Sequence, residues 1–159
     1  MEKILKQLRT IGLIPVVCID NAENAVPLAK ALKLGGLPAA EITFRTPAAE
    51  ESIARIAKAE PDLLLGAGTV LTPEQADRAI RAGARFLVSP GLNPSLVKYC
   101  LDQGYPLLPG ISNPSDVEQG LELGLHALKF SGRGRWRNGH AESVKRAIPG
   151  SFLYADRRH

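Results

Sequence analysis

Short apolar runs recur along the first 130 residues of the chain, and segments with a helical pattern separate them. The runs begin 20–25 residues apart, at positions 14, 39, 63, 86, 106 and 127. In the intervening segments apolar residues return every three or four positions, most clearly in Ala22–Leu34, Pro73–Ala82 and Pro114–Leu123. This change of period predicts short β-strands that alternate with α-helices.

Capping residues support the predicted helix boundaries. Thr72-Pro73 and Asn113-Pro114 each combine a side chain that accepts a backbone hydrogen bond with a proline suited to the first helical position. Glycines follow the helical segments where the chain must leave the helix, at Gly35, Gly36, Gly83, Gly104 and Gly124.

The strands are almost entirely apolar, which is typical of parallel strands covered by helices. Two architectures fit this pattern, a (β/α)₈ barrel and an open, doubly wound sheet. The short repeat favours the compact barrel unit. No G-x-G-x-x-G follows the first strand, which weighs against a dinucleotide-binding sheet. The open sheet is the alternative.

Composition places the chain among globular proteins. It has 159 residues, of which 45% are hydrophobic, enough for one domain with a buried core. No run of 18 apolar residues indicates a transmembrane helix, and the charged N-terminal segment does not resemble a secretory signal. Cys18 and Cys100 lack metal-ligand spacing, so we expect reduced thiols in a cytoplasmic protein without a disulfide framework.

The net charge of +4 is unevenly distributed. Residues 131–159 carry six Arg and one Lys against two acidic residues, whereas residues 1–130 carry 13 basic and 14 acidic residues. The only tryptophan, Trp136, also lies in the basic segment. We therefore divide the chain into a repetitive segment, residues 1–130, and a basic tail, residues 131–159.

Two ionisable residues lie within apolar strands. Glu41 occurs in the second strand, where alternation places it on one face with Thr43 and Arg45, and Lys129 occurs in the sixth. One interpretation is a buried ion pair that holds the barrel together. The other is a catalytic pair, in which burial favours a neutral amine on Lys129 that attacks a carbonyl and Glu41 acts as general acid and base. Arg45 would then bind a substrate carboxylate.

Other polar positions carry weaker signals. The segments G-A-G-T and S-P-G either belong to a binding site or are tight turns that need unusual backbone angles, and Thr69 is a possible helix cap. His126 receives no role. No group of His, Cys and carboxylates has metal-ligand spacing, so no metal is expected.

The chain resembles the family of 2-keto-3-deoxy-6-phosphogluconate and 4-hydroxy-2-oxoglutarate aldolases over nearly all of residues 1–130. The resemblance is carried in order by E-I-T-F-R-T, G-A-G-T-V-L, S-P-G-L, P-G-I-S and L-K-F. It implies a (β/α)₈ barrel of the TIM type, here incomplete with about six βα units. It also implies a homotrimer, and a lyase that cleaves a small 2-keto acid to pyruvate and an aldehyde without metal or cofactor.

The resemblance also implies a role for each matching residue. Lys129 forms the Schiff base with the substrate, and Glu41 shuttles protons. Arg45 and Thr69 bind the pyruvate carboxylate, and Pro90 lines the pocket.

The tail departs from the family pattern, which continues after L-K-F with P-A-E and later P-T-G-G. Residues 131–159 contain only three Val, Ile or Leu residues, too few for two further barrel strands. Codons can be chosen for this segment so that dropping the first base yields P-A-E-A-G-G-G-M-G-M-L-K-A-L-N-A-P-F-P-V-H-F-C-M-P-T-G-G. We therefore expect an out-of-frame, poorly ordered tail.

Two alternatives concern what the whole chain does. One is an inactive, truncated product of a frameshifted aldolase gene. The other is a nucleic-acid-binding module, in which Arg133, Arg135 and Arg137 contact phosphates and Trp136 stacks on a base. No membrane partner is expected.

Overall fold

The computed structural model describes residues 1–130 and 152–155, in which helices and strands alternate. The helices are α1 (Glu2–Ile11), α2 (Ala25–Leu34), α3 (Ala49–Ala59), α4 (Pro73–Ala82), α5 (Pro94–Asp102) and α6 (Pro114–Glu122). The strands are β1 (Val16–Val17), β2 (Ala39–Thr43), β3 (Leu64–Gly68), β4 (Phe86–Ser89), β5 (Leu107–Ile111), β6 (Ala127–Phe130) and β7 (Phe152–Ala155). Among the described residues, no helix is both long and apolar enough to cross a membrane.

The strands form one parallel sheet, and their order in space is their order in the chain. A doubly wound sheet reverses its strand order at a switch point, whereas a TIM barrel does not. The described sheet has no such reversal, so the incomplete TIM-type barrel is confirmed and the open-sheet alternative is wrong.

Local signals fixed most of the boundaries. The side chain of Thr72 accepts a hydrogen bond from the backbone N–H of Gln75 and starts α4, and Asn113 forms a capping box with Asp116 at the start of α6. Gly83 ends α4 in the left-handed conformation. The segment before α2 begins with one 3₁₀ turn, Ala22–Asn24, rather than with α-helix.

Two apolar cores lie on opposite sides of the sheet. The larger packs the outward-facing residues of the strands against the helices α2 to α6, and it contains Ile42, Leu65 and Leu87. The smaller lies inside the barrel and contains Phe86 and Leu108. Helix α1 covers this interior core with its apolar face.

The tail contributes one strand that the sequence analysis did not expect. Strand β7 pairs in parallel with β6, from Ala127 opposite Phe152 to Phe130 opposite Ala155. The expected number of about six βα units leaves out this strand, because only Val, Ile and Leu were counted in the tail. The run F-L-Y-A also contains two aromatic residues, which favour strands, and four residues are enough for one. The predicted disorder and the basic cluster at residues 133–137 lie outside the described residues.

Candidate active site

The inward-facing positions change from apolar to polar along the strands. On β2 these positions are Ala39, Glu41 and Thr43, and on β6 they are Ala127 and Lys129. Ala39 and Ala127 belong to the interior core that α1 covers. The polar members therefore lie above that core, toward the carboxyl ends of the strands, where TIM barrels place their chemistry.

Glu41 and Lys129 meet across the interior of the barrel. Nζ of Lys129 lies 3.9 Å from Oε1 of Glu41, and the two side chains are only 3% and 2% exposed. This separation forms an ion pair but exceeds the length of a direct hydrogen bond. The sequence analysis left open a structural pair and a catalytic pair, and the contact itself fits both.

Glycines on the interior face of β3 make room for this arrangement. A Cβ atom at Gly66 would collide with the ring of Phe86, and one at Gly68 would collide with the carboxylate of Glu41. Neither glycine is among the described residues with positive φ. The two glycines of G-A-G-T therefore need space rather than unusual backbone angles, and the unusual angle of this segment falls on Thr69.

Arg45 and Thr69 lie together after the ends of β2 and β3. Nε of Arg45 donates a hydrogen bond to Oγ1 of Thr69 at 3.1 Å, and the Arg45 side chain is exposed. Thr69 has φ = 58°, the left-handed region that a β-branched residue rarely adopts. Thr69 does not cap the next helix, since Thr72 does so. Backbone strain in a binding loop is a recurring feature of functional sites.

Two further threonines, to which the sequence assigned no role, connect β1 and the loop after it to the E-I-T-F-R-T segment. Oγ1 of Thr43 donates to the carbonyl of Val17 at 3.2 Å, and Oγ1 of Thr46 donates to the carbonyl of Ile19 at 2.5 Å. The alternation of faces along β2 indicated that Thr43 lies on the same side as Glu41. No local pattern indicated that Thr46 contacts Ile19.

Pro90 is exposed at the end of β4. It borders a cavity of about 260 Å³ together with Val70, Leu71, Ser89 and Leu92. Its carbonyl packs so closely on Gly110 that a Cβ atom there would collide with it. Gly110 is in turn the register partner of Lys129, so Pro90 is connected to the buried pair through β5.

The remaining polar candidates do not join the site. His126 is exposed at the amino end of β6, beside α1, which is the opposite end of the barrel. Among residues 1–130 and 152–155, no group of three His, Cys, Asp or Glu side chains is placed to hold a metal ion.

The sheet order and the position of the buried pair define a TIM-type α/β barrel with its polar site at the carboxyl ends of the strands. The chain belongs to the KDPG and KHG aldolase family, whose model matches residues 4–145. The family resemblance carried by the sequence motifs is thus confirmed.

Individual relatives agree with this membership. A 2-dehydro-3-deoxy-phosphogluconate aldolase from Treponema pallidum is 50% identical over 130 residues, which is 82% of this chain and 62% of the relative. The crystal structure of the 2-keto-3-deoxy-6-phosphogluconate aldolase of Zymomonas mobilis with 3-phosphoglycerate superposes with a TM-score of 0.91 at 37% identity, covering 99% of this chain and 77% of that one.

A third relative bears on the chemistry. The KDPG aldolase of Legionella pneumophila, crystallised with pyruvate captured as a covalent carbinolamine, superposes with a TM-score of 0.82 at 35% identity, covering 88% of this chain and 68% of that one. The chain spans about three fifths of the length of the curated relatives it matches.

Proposed function

We propose that this chain is a class I aldolase, which cleaves a 2-keto-4-hydroxy acid through a Schiff base on Lys129. The substrate class is 2-keto-3-deoxy-6-phosphogluconate, 4-hydroxy-2-oxoglutarate or both. The observation that carries the proposal is the buried contact of 3.9 Å between Lys129 and Glu41 at the carboxyl ends of the strands. A covalent carbinolamine with pyruvate in the Legionella relative supports the same chemistry.

The reaction begins at the amine. Neutral Nζ of Lys129 attacks the C2 ketone of the substrate to give a carbinolamine. The protonated carboxyl group of Glu41 gives its proton to the carbinolamine hydroxyl, which leaves as water, so that an iminium ion forms beside the Glu41 carboxylate. The iminium accepts electrons more readily than the ketone, and it divides one difficult carbanion step into easier ones.

Glu41 also transfers the protons in the steps that break the C3–C4 bond and release pyruvate. The C4 hydroxyl gives its proton to the Glu41 carboxylate, the C3–C4 bond breaks, and its electron pair moves toward the iminium nitrogen. The aldehyde leaves, and an enamine of pyruvate remains on Lys129. Protonated Glu41 returns the proton to C3, and water hydrolyses the iminium to release pyruvate and the free amine. One carboxylate close to the amine can serve both proton transfers.

Arg45 and Thr69 bind the carboxylate of the substrate. The Arg45 side chain already carries a hydrogen bond to Thr69, which limits the freedom it must lose when a ligand arrives. Guanidinium forms strong, charge-assisted hydrogen bonds with a carboxylate. Pro90 lines the pocket from the β4 side.

Borohydride trapping tests the proposed function directly. The 159-residue chain is incubated with pyruvate and sodium borohydride, digested and examined by mass spectrometry. We expect one reduced pyruvate adduct, on Lys129. A folded chain that remains unlabelled would support the alternative of an inactive product. Cleavage of the two substrate candidates, measured by pyruvate release, then gives the preference between them.

The assembly into a homotrimer and the location in the cytoplasm, which the family resemblance and the cysteine content imply, are further predictions.

The frame of the tail remains a separate part of the proposal. In the shifted translation given above, F-C-M-P falls on positions 152–155, where β7 lies beside β6. A strand at this position is compatible with the shifted translation, which resembles the family, and equally with the sequence that is present. Sequencing the gene around the codon for Phe130 decides the point, since an out-of-frame tail requires one extra base there.

A further inference from the structure

The carboxylate of Glu41 occupies the place that a side chain at Gly68 would take. A Cβ atom built on Gly68 would lie 2.7 Å from Cδ and 2.8 Å from Cγ of Glu41, and closer still to Oε1. These separations are well below van der Waals contact. Glu41 therefore keeps its present conformation only while position 68 has no side chain.

The strand register shows how far Glu41 reaches. Glu41 pairs with Gly66 on β3, whereas Gly68 pairs with Thr43. The Glu41 side chain therefore leans toward the carboxyl ends of the strands, across the next inward-facing position of β3. In this conformation its Oε1 lies 3.9 Å from Nζ of Lys129.

Backbone conformation does not account for the glycine. Positive φ among the described glycines occurs elsewhere, and in this segment it falls on Thr69 instead. The neighbouring Gly66 makes room for the Phe86 ring, which is part of the apolar core. At Gly68 the atoms that need the room are those of an ionisable group.

We infer that Gly68 is a positioning residue, which holds the Glu41 carboxylate against Lys129 by leaving its own side-chain volume empty. The inference rests on the proposed function for its catalytic consequence but not for the contact itself. A methyl group at position 68 would displace the flexible end of Glu41, while the backbone of β3 stays in place. The loss would therefore fall on proton transfer rather than on folding.

A double-mutant cycle separates these effects. Gly68→Ala, Glu41→Ala and the double variant are compared by the rate of borohydride-trapped pyruvate adduct formation in the 159-residue chain. Gly35→Ala is the matched control, because its new Cβ would make only ordinary contacts of 3.4 and 3.5 Å at the end of α2. We expect Gly68→Ala to slow trapping on the order of 10²-fold, the cost of a misplaced reacting group.

Glu41→Ala removes Cγ, Cδ and the carboxylate oxygens, which are the nearest atoms that a methyl group at position 68 would meet. The double variant should therefore trap faster than the product of the two single effects predicts. Effects that simply multiply, or a Gly68→Ala chain that traps at the wild-type rate, would overturn the inference.

Urea unfolding tests the contact without any need for activity. Gly68→Ala should unfold near the midpoint of Gly35→Ala, and in a Glu41→Ala background it should cause no further loss of stability. A Gly68→Ala change that destabilises the chain equally with and without the Glu41 side chain would show that something other than the carboxylate excludes a side chain there. If the wild-type chain traps no pyruvate, the proposed function fails, while this second measurement still decides the contact.

Discussion

Lys129 and Glu41 meet at 3.9 Å inside the barrel although they belong to strands β6 and β2, which are not neighbours in the sheet. Both side chains are almost fully buried. Two buried ionisable groups at this distance are costly to desolvate, and they are retained where their mutual attraction or their chemistry compensates. Variants of the two residues separate these two reasons.

Replacing the amine should abolish adduct formation. Lys129→Arg retains a positive charge near Glu41, but a guanidinium stays protonated and cannot attack a ketone. We expect trapping with pyruvate and borohydride to fall to background, while Lys98→Arg on the exposed side of α5 leaves it unchanged. Adduct formation that persists on another lysine would contradict the assignment of Lys129.

Replacing the proton carrier should affect turnover more than binding. Glu41→Gln retains the shape of the side chain but cannot accept a proton, a contribution worth about 10²–10⁴-fold. We expect kcat for cleavage to fall by such a factor, with a much smaller change in the affinity for pyruvate. If affinity fell and kcat did not, Glu41 would be a binding residue and the ion pair would be structural.

Removing Arg45 should affect binding more than turnover. Arg45→Ala loses a charge-assisted hydrogen bond to the substrate carboxylate, worth about 1.5–3 kcal/mol, or roughly tenfold to 10²-fold in affinity. The dependence of the trapping rate on pyruvate concentration measures this loss of affinity. Arg55→Ala is the control, because Arg55 pairs with Glu51 on the surface of α3. A normal affinity in Arg45→Ala would place the carboxylate elsewhere.

The sequence predicted those parts of the fold that depend on local chemistry. The caps at Thr72 and Asn113 work through bonds within three residues, and the strands alternate with helices at a spacing visible in the apolar pattern. Helix α1 was not predicted, although Ile4, Leu5 and Leu8 follow a helical spacing and face the interior core.

Features that depend on distant contacts were not predictable in the same way. The sequence motifs indicated Glu41 and Lys129 as site residues, but the distance between the two side chains depends on how the sheet curves. The need for glycine at position 68 depends on where the Glu41 side chain lies, and the positive φ of Thr69 depends on the loop around it. Each of these is set by residues far along the chain.

The two cysteines should differ sharply in reactivity. Cys18 is exposed, whereas Cys100 is buried, and this burial raises the pKa of Cys100 from 9.0 to about 11. The thiolate is the reactive form, so we expect alkylation of the native chain near pH 8 to modify Cys18 alone. Labelling in urea, where both thiols react, is the control. Rapid native labelling of Cys100 would mean that α5 opens readily.

The raised pKa of Cys100 also affects the stability of the folded chain. The folded state favours the neutral thiol of Cys100, so its contribution is complete below pH 9 and is lost as the pH rises toward 11. Cys100→Ala should show a smaller loss of unfolding free energy over this range than the wild-type chain. Equal losses in the two chains would show that Cys100 does not titrate as its burial requires.

Thr69 should carry strain that serves binding at the expense of stability. Its φ of 58° costs about 1–2 kcal/mol for a residue with a Cβ atom, and glycine avoids that cost while losing about 0.5–1 kcal/mol in chain entropy. Thr69→Ala and Thr69→Gly both remove the hydroxyl that accepts from Arg45, but only glycine relieves the strain. We therefore expect Thr69→Gly to be the more stable of the two in urea by up to about 1.5 kcal/mol, while both variants bind pyruvate more weakly than wild type. If Thr69→Ala proved the more stable of the two, the backbone at this position would not be strained, and the hydroxyl alone would explain the threonine.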